Sequence, residues 1–507
     1  MLCVTIACGS HTRMINEHQL LAEDGVKLVE LRLDFLRRDP DLSRLIPDRP
    51  TATVVTVRRP QDGGLWKESE EKRIMLLRSA IADGPEYVDL EVDIASSIPR
   101  FGKTRRIISY HDLEKTPENL EVLYREMASK DPDFIKIAVT PKNADDMFRF
   151  VAFVREKNLQ TKMLVSKGVR VVGICMGEMG QATRILSKKF GMPFTYATFS
   201  EQRIIAPGML VYKDIRDLYH HEATNAETDV YGIIGYPIGH SLSPLIHNRS
   251  FVEQKINAVY VPFPLGKEDV LPFLERAAEF GIKGLSVTIP HKVLVKKRLT
   301  KIDPAVDKVG ACNTIVFKDD ERLGYNTDYM AAVSSIELAA GGKPTDEISV
   351  LDGKEALVLG AGGAGMALAY GLKKRGVLVT VVDVDGSKAF DLSRHLDCEV
   401  ADWKARGNLK PDILVNCTPV GMHPNVDFSP YEKSDLRKGM IVFDAVYNPE
   451  HTLLLKSALD KGCVAVSGVE MFVGQACLQF KLFTGQKASA SFMRKLIKQA
   501  ISAAKDS

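Results

Sequence analysis

With 507 residues the chain is too long for one ordinary core, so two to four domains are expected. Apolar residues make up 45% and charged residues 26%, the balance of a soluble globular protein, and the net charge of +3 is evenly spread. That spread argues against nucleic acid or an anionic membrane surface as the main partner.

The chain opens with MLCVTIACGSH, which has no basic region before a long apolar run and is not read as a secretory leader. No apolar stretch is long enough to span a bilayer. Cys3, Cys8, Cys175, Cys312, Cys398, Cys417, Cys463 and Cys477 form no CxxC pair, and most lie in apolar runs. They read as buried free thiols, with no metal site expected, and imply a reducing, cytoplasmic setting.

Across the first two hundred residues, short apolar runs alternate with stretches of helical spacing. The runs are 2–7, 28–34, 52–58, 87–93, 105–111, 133–139, 170–176 and 193–199. Between them, EEKRIMLLRSAIADG and ADDMFRFVAFVREKN repeat apolar residues at helical intervals. Eight strands alternating with helices over about 200 residues predict a (β/α)8 barrel, with an open doubly wound sheet as the rival.

Alternation favours the barrel. In 28–34 one face is Val29, Leu31 and Leu33, and the other carries Glu30, Arg32 and Asp34. In 87–93 Val88, Leu90 and Val92 oppose Asp89, Glu91 and Asp93. A sheet covered by helices on both faces gives continuous apolar runs instead. One apolar and one polar face suit a barrel whose interior gathers Glu30, Arg32, Arg58, Asp89, Glu91 and Lys136.

The polar segment 217–229 reads as a linker. Strand and helix signals follow to about 325. From about 354, KEALVLGAGGAGMALAYGLKKRGVLVTVVDVD reads as strand, glycine-rich turn, helix and strand, and 470–505 reads as helices. Gly360, Gly362 and Gly365 fall in a GxGxxG frame that follows a strand and opens a helix, the context of a dinucleotide-binding turn. Asp383 ends the next strand, where an acid hydrogen-bonds the ribose 2′-hydroxyl of NAD and repels the 2′-phosphate of NADP.

Two basic residues pose a question of chemistry. Lys136 lies in the apolar run DFIKIAV, and a buried ammonium is costly unless paired or neutral. A lysine on a barrel strand suggests Schiff-base chemistry, which needs a neutral amine and then a proton acceptor. Like charge from Arg32 and Arg58 would lower its pKa, and the nearby acids push the other way. His111 ends the preceding strand at the C-terminal mouth, where barrel active sites lie. The plainer readings are an ion pair of Lys136 with Glu30 or Glu91, and a strand-end histidine bonded to a neighbour.

The motifs GYPIGHSLSPLIHN, SVTIPHK, ACNTI, YNTDY, GAGGAG, NCTPVGM, YNP and GQA occur in the order of shikimate dehydrogenase, and 229–507 resembles that family. The resemblance implies that Ser241 and Ser243 hold a substrate carboxylate and that Thr288, Asn313, Tyr447 and Gln475 are further substrate contacts. It makes Lys292 and Asp328 the catalytic pair, and Gly360, Ala361, Gly362, Gly363, Ala364, Gly365, Asp383 and Gly468 the cofactor positions. Hydride then moves between a ring carbonyl and a nicotinamide, while a lysine of lowered pKa shuttles the proton. The family's Asn-Arg-Thr after the second strand is Asp383-Val384-Asp385 here. NADP is the family cofactor, and the missing arginine favours NAD.

The pieces ELRLD, VTVR, DLE, SYHD, KIA, ATR and APG occur in the order of type I 3-dehydroquinate dehydratase, which 2–215 resembles. The resemblance implies that Lys136 forms an imine with the substrate ketone and that His111 moves the α-proton to the leaving hydroxyl. It also implies that Glu30, Arg32, Arg58 and Arg184 bind substrate, the arginines suiting a carboxylate. Three positions depart from the family: a glutamate is Asp62, and the lid serine and glutamine are Ile205 and Met209.

The expected fold is α/β. A (β/α)8 barrel over 1–220 precedes a substrate-binding domain over 229–328, completed by helices of 475–507, and a Rossmann-type domain over 329–474. The expected partners are small molecules, namely 3-dehydroquinate, 3-dehydroshikimate and shikimate, and the sequence carries no signal of oligomeric state. Three rivals stay open: an aldolase-like barrel joined to a quinate dehydrogenase, a metabolite-sensing regulator without activity, and a working dehydrogenase on a degraded barrel.

Overall fold

The computed structural model describes residues 1–163, 169–239 and 241–506. Eight parallel strands come first: β1 (Leu2–Ile6), β2 (Leu28–Arg32), β3 (Ala52–Thr56), β4 (Tyr87–Glu91), β5 (Arg105–Asp112), β6 (Phe134–Val139), β7 (Arg170–Cys175) and β8 (Thr195–Thr198). Their order is β7-β6-β5-β4-β3-β2-β1-β8, so β8 bonds to β1 and the β7–β8 edge is a seam without ladder bonds. Each predicted run coincides with one of these strands, β5 running one residue further to Asp112. The barrel is therefore nearly closed, and the open-sheet rival is set aside.

Helix signals explain the connections. Ser69 accepts from the Lys72 amide and caps the helix Glu70–Ala82, and Glu70 and Glu71 sit in its first turn, where acids favour the helix dipole. The helix Ala144–Met163 buries Met147, Phe148, Phe150, Val151 and Val154.

Alternation along the strands stacks the barrel interior in layers. Near the strand starts Cys3, Leu28, Val54, Tyr87, Ile107, Phe134, Val172 and Phe194 form an apolar plug. Two residues further on, the inward positions are Thr5, Glu30, Thr56, Asp89, Ser109, Lys136, Ile174 and Tyr196. The register sets Thr5 opposite Glu30 and Ser109 opposite Lys136. The plug closes the bottom, and the polar layer lies above it toward the C-terminal mouth.

The polar stretch 217–229 is more ordered than an open linker. His221 is fully buried and shares a 2.7 Å hydrogen bond between its Nε2 and Ser187 Oγ, while Thr224 and Thr228 are also buried. Its polar side chains bond inward, which composition alone does not reveal.

Two further sheets follow. β9 (Asp229–Gly235), β10 (Ala258–Pro264), β11 (Ile282–Val287), β12 (Lys301–Ile302), β13 (Thr314–Lys318) and β14 (Glu321–Tyr325) form a mixed sheet of order β10-β9-β11-β13-β14-β12. β15 (Glu355–Leu359), β16 (Leu378–Val382), β17 (Glu399–Val400), β18 (Ile413–Asn416), β19 (Ile441–Asp444) and β20 (Val464–Val466) form a parallel sheet of order β17-β16-β15-β18-β19-β20. Order reverses between β15 and β18, and the crevice at such a switch point is where doubly wound sheets bind ligands. The chain closes with helices Gly468–Thr484 and Ala490–Asp506.

The chain divides into two compact units. One is Met1–Gly232 with Tyr236–Gly239 and Lys255–Ile282; the other is Ile233–Gly235 and His240–Gln254 with Lys283–Ser507. All eight cysteines are free thiols, and five of them are buried. Among the described residues no helix is long and apolar enough to cross a membrane.

Candidate active sites

A cavity of about 350 Å³ opens above the polar layer of the barrel. Glu30, Arg32, Arg58, His111, Lys136 and Arg184 all line it, as do Asp62, Ile205 and Met209. The lysine that looked anomalous in β6 points into this space. Its Nζ lies 3.0 Å from Asp89 Oδ2 and 3.7 Å from Glu30 Oε1. Of the plainer partners considered for it, Glu30 is within ion-pair reach, and Asp89 lies closer.

The buried charges are matched group by group. Arg58 reaches Asp89 at 2.9 Å and Glu91 at 2.8 Å, and Arg73 reaches Glu91 at 2.7 Å. Thr5 and Thr56 each donate to Glu30 at 2.9 Å, and Ser109 donates to Asp89 at 2.5 Å. Burial by itself would raise the Asp89 carboxyl, but Arg58 and Lys136 hold it well below the usual carboxylate range. Arg32 is forked onto Asp34, with bonds of 3.0 and 2.8 Å.

Arg184 is different. Its side chain is buried, it donates to the Tyr196 carbonyl at 3.3 Å, and its Nε has no hydrogen-bond partner among the described residues. It has no ion-pair partner among the described residues. Burial pushes its guanidinium down to about 10. A buried cation without an anion, facing a cavity, is a place for an anionic ligand.

His111 stands one strand from Lys136, with its register partner Ala138 two residues further toward the mouth. Burial, then the charges of Arg58 and Lys136, push its imidazole well below the ordinary histidine value, against the pull of Asp89. It is neutral at pH 7, the form that accepts a proton. Asp62 is drawn to Arg59 at 2.9 Å. Ile205, Ala206 and Met209 pack on the apolar side of the cavity, so the lid covers it with hydrocarbon.

From the sequence Asp89 is a polar-face residue without a role; its contact with Lys136 needs the pairing of β4 with β5 and β5 with β6. Arg73 carried no signal, because EEKRIMLLR reads as an amphipathic helix. The fold turns that arginine inward onto Glu91 and the Val57 carbonyl.

The second site lies in the other unit. Asn326 caps the helix Thr327–Ala339 and accepts from the amides of Asp328 and Tyr329. That cap sets Asp328 in the first turn, with Oδ2 2.7 Å from Lys292 Nζ. Both side chains are partly exposed, so the pair is reachable. Thr288 follows β11, and its amide bonds to the Ile234 carbonyl at 3.0 Å. Ser241 and Ser243 stand at the start of the helix Ser243–Glu253, the Ser243 amide donating to Ser241 Oγ at 3.3 Å.

Asn313 is almost fully enclosed. Its Oδ1 accepts from the Thr327 amide and Thr314 Oγ1, and its Nδ2 donates to Thr327 Oγ1, leaving one N–H for a ligand. Gln475 lies in the helix Gly468–Thr484, donating to the Phe472 carbonyl. Tyr447 is partly exposed and stacks on Phe472 at 5.0 Å. Gln479, absent from the sequence reading, donates to Thr314 Oγ1 and accepts from Ser286.

The glycine-rich turn fits a dinucleotide. Gly360 has φ +98°, and a Cβ on Gly365 would lie 1.9 Å from the Gly360 carbonyl oxygen. Gly362 and Gly363 have open space where a Cβ would stand, so a diphosphate can approach the start of the helix Gly363–Lys374. Ala361 and Ala364 complete this turn. A Cβ on Gly468 would meet Ala445 and Val446 backbone atoms at 2.7 Å. The Asp383 carboxylate already accepts from the Ala361 amide at 2.7 Å and the Asp385 amide at 2.8 Å. It shapes the loop as well as offering its remaining lone pairs to a ribose.

Residues 2–226 match the family model of type I 3-dehydroquinase. Residues 233–315 match that of the shikimate dehydrogenase substrate binding domain, and 468–498 that of the shikimate 5′-dehydrogenase C-terminal domain. A chloroplastic bifunctional 3-dehydroquinate dehydratase/shikimate dehydrogenase from Arabidopsis thaliana is 36% identical over 509 residues, covering 96% of this chain and 82% of that one. A shikimate dehydrogenase (NADP(+)) from Maridesulfovibrio salexigens is 40% identical over 271 residues, which is 53% of this chain and 96% of its own. A solved shikimate dehydrogenase in complex with NADP+ aligns with a TM-score of 0.51 and 33% identity, over 55% of this chain and 97% of that one.

Proposed function

This chain belongs to the bifunctional 3-dehydroquinate dehydratase/shikimate dehydrogenase family, and we propose that Lys136 and His111 carry its dehydration while Lys292 and Asp328 carry its reduction. It converts 3-dehydroquinate to 3-dehydroshikimate and reduces that product to shikimate. The observation that supports the assignment most is Arg184, a buried cation without an ion-pair partner among the described residues, in the same cavity as Lys136 and a neutral His111.

The substrate carboxylate pairs with Arg184, which sets the ring ketone beside Lys136. Asp89 and Glu30 orient the amine. The neutral amine attacks the ketone, and loss of one water leaves an iminium that withdraws electrons from the neighbouring C–H. His111 takes that proton as the C–C double bond forms. It gives the proton to the departing hydroxyl, which leaves as water. A second water then hydrolyses the imine and restores the lysine, so the net change is loss of one water.

In the second site Ser241 and Ser243 hold the carboxylate, and Thr288, Asn313, Tyr447 and Gln475 contact the ring. The dinucleotide, when bound at the glycine-rich turn, supplies hydride for the ring carbonyl. Lys292 delivers a proton to the carbonyl oxygen, and Asp328, 2.7 Å away, orients it. The domain division follows the chemistry: 1–220 for dehydration, 229–328 with 475–507 for substrate, and 329–474 for the dinucleotide.

NAD is accepted at least as well as NADP. Val384 is 77% exposed where the family has its phosphate-binding arginine, between Asp383 and Asp385. Lys388, the nearby cation, lies 3.6 Å from Asp385.

One preparation tests these assignments. With 3-dehydroquinate and borohydride, a reduced adduct should appear by mass on Lys136. Reduction of 3-dehydroshikimate without any dehydration would select the degraded-barrel reading. Initial rates with NADH and NADPH decide the cofactor, and a large NADPH preference would overturn the NAD assignment.

A further inference from the structure

Tyr196 is the inward residue of β8, paired in register with Cys3. Its ring lines the cavity shared by Lys136 and Arg184. Lys136 Nζ lies 4.2 Å from the ring centroid, a cation–π contact. The residue is 3% exposed, and its hydroxyl has no hydrogen-bond partner among the described residues. Tyr196 sits in the polar layer, but its own packing is partly apolar, with Phe194 5.7 Å away edge-on and Ile174 and Met209 in the same cluster. A phenylalanine would pack there without leaving a buried oxygen unsatisfied, which folded proteins avoid.

The lid above makes the need specific. Ile205 and Met209 line the cavity and offer no hydrogen bond, although the substrate is rich in oxygen. Burial, with Glu30 and Cys3 nearby, raises the phenol far above its ordinary value, so it stays protonated and can donate.

We propose that Tyr196 is a further substrate-contacting residue of the dehydratase, its hydroxyl donating a hydrogen bond to the ketone oxygen as Lys136 attacks the ketone carbon. This rests on the reading of Lys136 as the imine-forming residue. As the Nζ–C bond forms, the carbonyl π pair moves onto the oxygen, and the hydrogen bond stabilises the growing charge. An amine N–H supplies the proton that this oxygen takes, so the carbinolamine is neutral and the phenol ends as it began. Tyr196 thereby supplies a neutral donor that the hydrocarbon lid lacks.

Tyr196→Phe keeps the ring under Lys136 and removes only the oxygen. In full-length protein, kcat/KM for 3-dehydroquinate should fall about tenfold or more. The single-turnover rate of borohydride-trapped adduct on Lys136 should fall with it. Reduction of 3-dehydroshikimate by the same preparation should be unchanged, and the melting temperature equal or higher. Wild-type dehydration and adduct rates in the variant would overturn the proposal. A lowered melting temperature would also overturn it, since the hydroxyl would then serve the fold. Wild-type protein that neither dehydrates nor traps an adduct overturns the Lys136 reading itself, whereas an active wild type with an unaltered variant overturns Tyr196 alone.

Discussion

Replacing Arg184 by methionine should make the barrel more stable and its dehydratase worse. The guanidinium is buried, lacks an ion-pair partner among the described residues, and is pushed from its ordinary value down to about 10. That difference corresponds to roughly 3 kcal/mol carried by the free protein. Both folded and unfolded arginine are charged at pH 7, so the cost is constant across the neutral range and appears only above about pH 10 as a gain with rising pH. Methionine keeps an unbranched chain but fills less space, and the void takes back part of the gain. A net rise of about 1–2 kcal/mol remains, on the order of 5 °C in the barrel transition. The catalytic loss is larger. A carboxylate entering the cavity without its cation forfeits a desolvated, charge-assisted contact, and kcat/KM for 3-dehydroquinate should fall about 100-fold or more. Differential scanning calorimetry and steady-state rates on one preparation read both effects. A lowered melting temperature together with unchanged kcat/KM would refute the reasoning, because Arg184 would then be a structural residue with a partner.

Three further outcomes follow from the geometry. Lys292→Ala should lower the reduction rate by about 10²–10⁴ and leave dehydration intact, and Asp328→Asn should lower it less, as rates with 3-dehydroshikimate will read. Val384→Arg should improve kcat/KM for NADPH relative to NADH, since it places a cation between two carboxylates where a 2′-phosphate needs one; an unchanged ratio counts against the site. Burial pushes His247 down to about 3, below an unfolded value of 6.5. Between those pH values the unfolded chain binds the extra proton, so stability is lost as pH falls below 6.5. At pH 5 the loss is about 2 kcal/mol, and His247→Gln should melt with a flatter dependence on pH between 7 and 5.

Much of this protein was legible in its residues. Period-two alternation placed Glu30, Arg32, Asp89 and Lys136 on one face, because a strand fixes side-chain direction locally. The GxGxxG frame was likewise local, since Gly360 and Gly365 meet backbone five residues apart. Strand pairing decided the rest. Asp89, on β4, meets Lys136 on β6, with Ser109 of β5 between them and bonded to Asp89. Arg73 left its helix surface for Glu91, and Arg184 was left without an anion among the described residues, because both depend on which elements the fold brings close. Asp383 was assigned to a ribose from its place at a strand end, and the fold shows it bonding the turn as well. A sequence determines which face a side chain takes; what stands opposite that face, and whether a buried charge is matched or left waiting for a substrate, is set by contacts between residues far apart in the chain.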